Sequence, residues 1–581
     1  MSYLRILAAA LLTVPLGASP VSAAPAAESA VYSVIIRGGT VYDGSGKAPF
    51  VGDVAIRGDR IAYVGPHAPG RGAEEFPARG KAVAPGFVNM LAHPEESLLV
   101  DGRALSDLRQ GVTLEVLGED SMGPLTPEMQ RLMVQRQGDI HFDVDWTTLG
   151  EYLGKLEKRG IAPNVASYVG AGTVRTYVLG ERDVQPTEAQ LQQMRDLVHQ
   201  AMEQGAVGVT TALIYSPNDY ARTPELIALA QESARCGGIY SAHMRSEGDR
   251  LLEAMQETVD IARASGAPAE IYHLKEAGKR NWGKLDALIQ AVNAARSSGV
   301  RITADMYVYT AGATGLDAAM PPWVQDGGLE AWIARMKDPA TRARLIADMR
   351  NPSSDWENLM LAAGPEGMLL LAFKNPALKG LTGKTLAEVA RARGVSPQDA
   401  AIDLVIEDGS RVGVAYFLMS EDNVRRQVAL PWVSFDSDAD APAPAGVFLK
   451  SSRHPRTYGN FVRLLAHYVR EERVITLQEA IRKLTSLPAA TLMIGDRGLL
   501  RQGYFADVVV FDPATVQDHS TYKRPQVLAT GVDDVWINGV RALRHEAATG
   551  AASGRAVHGR AWTGAGGGGC RASARDWSWT P

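Results

Sequence analysis

An α/β fold, a TIM-like (β/α)8 barrel carrying a small β domain, is what this sequence predicts, and three observations carry the prediction. Short β-branched runs alternate with segments of helical period through the middle of the chain, as a parallel barrel requires. Short strands of similar character stand near both ends, far apart in sequence. Histidines and acidic residues recur just after the middle strands, on the face where barrels of this kind carry their chemistry. The 581 residues, 46% hydrophobic and 22% charged, suffice for one large core and a satellite domain.

Taken in order, Met1-Ser2-Tyr3-Leu4-Arg5 precedes an apolar run from Ile6 to Ala18 and then Val21-Ser22-Ala23, the small residues a signal peptidase reads. A signal peptide over residues 1–23 is expected, with export to the periplasm or medium. The run is short for a bilayer span, so no membrane association is expected after leader cleavage. Residues 31–82 form the first part of the β domain: Val31 to Ile36, a Gly38-Gly39 turn, then Val51 to Val64 around Arg57-Gly58-Asp59-Arg60. The barrel comes next, over residues 83–495. Its eight candidate strands are Val83 to Leu91, Thr113 to Leu117, Val165 to Gly170, Val207 to Thr211, Ile239 to His243, Glu270 to Leu274, Arg301 to Met306 and Trp432 to Asp436. Amphipathic stretches such as Thr187 to Glu203 and Arg250 to Ala264 lie between them. From Tyr309 to Leu430 the gap far exceeds a βα connection of about 2 to 6 residues, which predicts an inserted subdomain at about 315–430. Residues 496–547, with Tyr504 to Phe511 and Val532 to Gly539, complete the β domain. Residues 548–581 are rich in Gly, Ala, Ser and Arg without periodicity, and a flexible tail is expected there.

Several function classes are excluded early. A net charge of -5 leaves no basic excess for nucleic acid. Two cysteines, Cys236 and Cys570, predict no disulfide framework, and Cys236 sits at a helix end before a turn, away from any nucleophilic pair. Asp43-Gly44-Ser45-Gly46-Lys47 lacks the spacing and hydroxyl of a phosphate loop. No Gly-x-Ser-x-Gly elbow lies between a strand and a helix.

The residues at and just past the strand ends are informative. His93 comes after the first strand, Glu119 and Asp120 after the second, His243 ends the fifth, His273 and Lys275 mark the sixth, Tyr307 comes after the seventh, and Asp436 ends the eighth. Imidazoles and carboxylates converging on one mouth are what a zinc site needs, with a free carboxylate to take a proton from water.

The stretches Val41-Tyr42-Asp43-Gly44, Val83-Ala84-Pro85-Gly86-Phe87, Gln110-Gly111-Val112-Thr113, His243-Met244-Arg245, Tyr272-His273-Leu274-Lys275, Asp305-Met306-Tyr307-Val308-Tyr309, His454-Pro455-Arg456-Thr457-Tyr458-Gly459 and Gly503-Tyr504-Phe505-Ala506-Asp507-Val508 resemble the N-acyl-D-amino-acid deacylases of the amidohydrolase superfamily, in order from about Ile35 to Ala547. The resemblance implies a metal-bearing barrel with a β-sandwich made from both chain ends, and release of the acyl group from small N-acyl amino acids. It implies zinc ligation by His243 and His273, Asp436 as general base, and Lys275, Tyr215, Tyr307 and Arg456 on the substrate.

Two departures from the family pattern bear on the metal. Asn89-Met90-Leu91-Ala92-His93 has Leu91 where the family has the first histidine of a His-x-His pair, and Gly118-Glu119-Asp120-Ser121 replaces the family's cysteine. One zinc held by His243, His273 and either Glu119 or Asp120 is expected, Glu119 ahead for its longer arm. His93 is left as a weak second-site ligand, a donor to a ligand, or a packed histidine. Ala313 stands where the family commonly offers a hydroxyl. Two other readings remain: an amidohydrolase for a cyclic amide, dipeptide or aromatic amide, and a non-catalytic periplasmic binding protein.

Overall fold

The computed structural model describes residues 31–352, 355–564 and 569–571; the expected leader lies outside them, as do residues 572–581. In the N-terminal part, β1 (Val31–Val41), β2 (Phe50–Arg57) and β3 (Arg60–Gly65) run antiparallel, while β4 (Arg71–Pro77) and β5 (Ala82–Pro85) join β1 in parallel. The chain then leaves this sheet at Pro85-Gly86, so the single strand expected from Val83 to Leu91 is two, in different sheets. Glycine is required at this crossing, because a Cβ on Gly86 would stand 2.1 Å from Thr113 Oγ1.

The barrel strands are β6 (Phe87–Ala92), β7 (Val112–Leu117), β8 (Asn164–Ser167), β9 (Val169–Gly170), β10 (Gly208–Ala212), β11 (Ile239–His243), β12 (Ala269–Ile271) and β13 (Ile302–Ala304). All their pairings are parallel. Tyr168 separates β8 from β9 within one barrel position and keeps the ladder by donating its N–H to Leu117 O. Residues 432–438 close the ring. Ser434 N–H bonds Ala304 O and Asp436 N–H bonds Met306 O on one side, while Met90 N–H bonds Phe435 O and Asp438 N–H bonds Leu91 O on the other.

Between the seventh and eighth positions, β14 (Ala311–Gly315), β15 (Met368–Ala372) and β16 (Gly413–Phe417) form an antiparallel sheet with helices packed around it. Leu316, Trp332, Leu370, Leu404 and Val414 belong to a core separate from the barrel's. The chain returns through β17 (Val508–Phe511), β18 (Val532–Ile537), β19 (Val540–Arg544) and β20 (Ala547–Ala548), and β17 pairs antiparallel with β5. Both ends thus share one sheet. β17 explains its own sequence: Val508 and Val510 face the core of the β domain, Val509 and Phe511 the barrel core, so both faces must be apolar.

One expectation needs correction. Residues 548–564 are not a loose tail; they pack along the barrel through backbone bonds, with Val557 N–H to Val165 O, Gly559 N–H to Gly205 O and Thr563 N–H to Glu203 O. Small residues allow that close backbone approach, which composition alone reads as disorder. A disulfide is also present: Cys570 is joined to Cys236, at the C-terminal end of the helix Thr223–Arg235. No spacing in the sequence announces this, since the partners are 334 residues apart.

Candidate active site

Three donors meet at the C-terminal mouth of the barrel. Glu119 lies two residues past β7, His243 ends β11, and His273 lies two residues past β12. Glu119 Oε1 is 2.7 Å from His243 Nδ1 and 3.1 Å from His273 Nε2. All three ligand atoms lie within 4.8 Å of one another. Glu119 and His273 hold left-handed backbone conformations, φ +67° and +35°, which non-glycine residues rarely adopt. Asp305 accepts the His273 N–H at 2.5 Å and secures that turn. Burial opposes ionisation of Glu119, but the two imidazoles outweigh it and hold the carboxyl well below its ordinary value.

One carboxylate oxygen and two imidazole nitrogens from three strands are a donor set suited to zinc, and their convergence in a buried mouth fits one ion. Among the described residues, one other group, His199 with Cys236 and Cys570, gathers comparable atoms, and there the sulfurs are bonded to each other.

The remaining expected ligands are placed differently. Asp120 is turned toward Asn218 Nδ2 at 3.5 Å. His93 Nε2 is 3.1 Å from Asp438 Oδ1 and 3.9 Å from Glu119 Oε2, so its nearest partner is a carboxylate outside the donor trio. Leu91, its neighbour on β6, is wholly buried.

The expected base needs correction. Asp436 is 0% exposed and lines no part of the cavity. Burial, Asp305 and Asp438 push its carboxyl well above the ordinary range. Asp438, two residues on, lines the cavity, with a left-handed backbone at φ +44° that turns it out of the strand. Burial resists its ionisation, yet Arg456 and His93 overcome that and bring its carboxyl down to about 2. Arg456 corrects a second expectation: its Nη1 is 2.9 Å from Asp438 Oδ2, its guanidinium stacks 4.3 Å over the Tyr307 ring, and it does not line the cavity.

Lys275, Tyr215 and Tyr307 do line the cavity, whose volume is about 720 Å³. Lys275 Nζ is 2.6 Å from Glu247 Oε1. The buried Tyr307 hydroxyl makes no hydrogen bond within the protein and is free to donate. Much of the opposite wall comes from the inserted subdomain, including Ala313, Trp332, Arg411 and Leu418. Sequence reasoning missed Asp438, Glu247 and Arg411. A signal existed for Glu247, which stands four residues after His243; Asp438 and Arg411 have none without the backbone path.

Comparison with known proteins decides the family. The model of the amidohydrolase family matches residues 74–542. The chain is a member of that family. D-aminoacylase of Alcaligenes xylosoxydans xylosoxydans is 31% identical over 91% of this amidohydrolase and 98% of its own length. Among solved structures, the N-acyl-D-glutamate deacylase of Bordetella bronchiseptica, complexed with zinc and a phosphonate inhibitor, has a TM-score of 0.75 at 28% identity, covering 91% of this chain and 100% of that one. A D-aminoacylase with a binuclear metal centre has a TM-score of 0.76 at 29% identity, covering 90% and 99%.

Proposed function

We propose that this amidohydrolase removes the acyl group from N-acyl-D-amino acids, with Glu119, His243 and His273 holding one zinc ion and Asp438 moving the protons. The observation that carries the reading is the donor trio beside an anionic carboxylate at the floor of a large cavity. Its relatives' activities support the substrate class. When bound, zinc supplies Lewis acidity toward the scissile carbonyl and toward water.

Asp438, kept ionised by Arg456 and His93, accepts a proton from the attacking water and returns it to the departing nitrogen. The new C–O bond forms first, moving charge onto the carbonyl oxygen; the C–N bond then breaks as the nitrogen takes the proton from Asp438, giving a carboxylate and a free amine. Tyr307 offers its unpartnered hydroxyl to the charge developing on the carbonyl oxygen. Lys275 and Tyr215 orient the substrate from the cavity wall. A single ion is favoured because Leu91 offers no donor and His93 is engaged with Asp438.

Two observations support an exported enzyme: the leader-like first 23 residues, and the Cys236–Cys570 bridge, since disulfides persist in oxidising compartments. The test is zinc content by mass spectrometry, with amine release measured over paired N-acyl-D- and N-acyl-L-amino acids with acyl groups from acetyl upward. About one zinc per chain and release from the D series support the reading. Release confined to the L series, or none from either, contradicts it.

A further inference from the structure

We infer that Glu247 is a positioning residue that holds both imidazole ligands from behind with one carboxylate. The inference rests on the reading that Glu119, His243 and His273 hold the ion. His243 turns Nδ1 to Glu119, leaving Nε2 on its far side; His273 turns Nε2 to Glu119, leaving Nδ1 on its far side. Those two outward nitrogens face opposite oxygens of Glu247: His273 Nδ1 is 2.9 Å from Oε1, and His243 Nε2 is 3.6 Å from Oε2. Within the protein, His243 Nε2 is buried and makes no hydrogen bond.

Metal binding by the two inner nitrogens would set the tautomers. A nitrogen that binds a metal carries no proton, so the other nitrogen of each neutral ring must carry one and needs an acceptor. Lys275 Nζ, 2.6 Å from His273 Nδ1, has only protons to give; Glu247 has only lone pairs. Glu247 therefore offers His273 Nδ1 an acceptor at 2.9 Å, is the carboxylate facing His243 Nε2 at 3.6 Å, and balances the Lys275 charge at 2.6 Å.

Glu247 is itself fixed by the inserted subdomain. Glu357 Oε2 accepts the N–H of Glu247 at 2.6 Å and that of Gly248 at 3.2 Å. Ala277 N–H, four residues past His273, bonds Glu247 O at 2.7 Å. A loop of the subdomain that walls the cavity thereby sets the position of the carboxylate behind the ligands.

The test is metal affinity, read without turnover. Zinc is titrated against a chromophoric chelator in wild type and Glu247→Gln, and the visible absorption of the cobalt-substituted proteins is compared. Affinity in Glu247→Gln is expected to fall about 10- to 100-fold, with an altered cobalt spectrum. Glu247→Asp keeps the charge and the lysine partner but is too short to span both rings; it serves if the glutamine variant does not fold, with a loss of about tenfold or more expected. Wild-type affinity and spectrum in both folded variants would overturn the inference and leave the metal reading standing. A wild-type protein that takes up no metal would overturn both.

Discussion

Asp436 and Asp438 are the same residue type two positions apart, yet they lie in opposite electrostatic environments. Asp438 leaves the strand at the mouth, between His93 and Arg456, and stays ionised. Asp436 is wholly buried beside Asp305 and within reach of Asp438, whose charges reinforce burial and outweigh the influence of His273; Asp305 and Glu270 are likewise pushed upward, chiefly by burial. Glu119 belongs with Asp438: buried in the same mouth, it is held low by two imidazoles. Burial is common to both groups, so the polar groups facing each carboxylate decide which stay ionised and which are pushed toward the neutral form.

Removing a donor from the mouth is expected to have the largest effect. His273→Ala should abolish stoichiometric zinc and lower turnover by about 10⁴-fold or more, measured by metal content and initial rates. Retained zinc with near-normal rates would remove the trio from the mechanism. Next comes Tyr307→Phe, which keeps the ring under Arg456 and removes the free hydroxyl. A fall in kcat of about 100-fold with KM changed by less than about threefold is expected from losing one oxyanion donor.

In the interior the expected effect is on stability and its pH dependence. Glu270 is raised to about 8, chiefly by burial. Its folded-state value lies above its unfolded one, so the folded protein binds the extra proton between about pH 4.5 and 8. Its contribution is full below that window and lost as pH rises through it. Subtracting a Glu270→Gln denaturation series from wild type should reveal a stability falling with pH across this range; a flat or rising difference would contradict the assignment. The smallest effect is expected for Cys236→Ser: melting a few degrees lower, with kcat within about twofold, because the bridge secures a segment on the barrel exterior, away from the mouth.

Much of the architecture was readable from residue order. The βα alternation located the barrel, because parallel strands buried on both faces must be short apolar runs. Both ends of the β domain showed the same strand character, and the candidate ligands Glu119, His243 and His273 were marked by their position at or just past barrel strands. What escaped depended on the backbone path. Asp438 was hidden because a left-handed turn past the strand end, and not alternation along it, delivers its carboxylate to the mouth. Arg456 reads equally as a substrate fork or an ion-pair partner until Asp438 is seen beside it. The segment around Val557 and Gly559 carries no apolar period because backbone bonds attach it.

The contrast between mouth and interior is tested most directly by comparing Asp438→Asn with Asp436→Asn under saturating substrate and bound zinc. The account predicts that Asp438→Asn retains the metal and loses at least about 10³-fold in kcat, whereas Asp436→Asn stays within about tenfold of wild type. A comparable loss in the Asp436 variant, with Asp438→Asn still active, would contradict it and return the general base to the interior of the barrel.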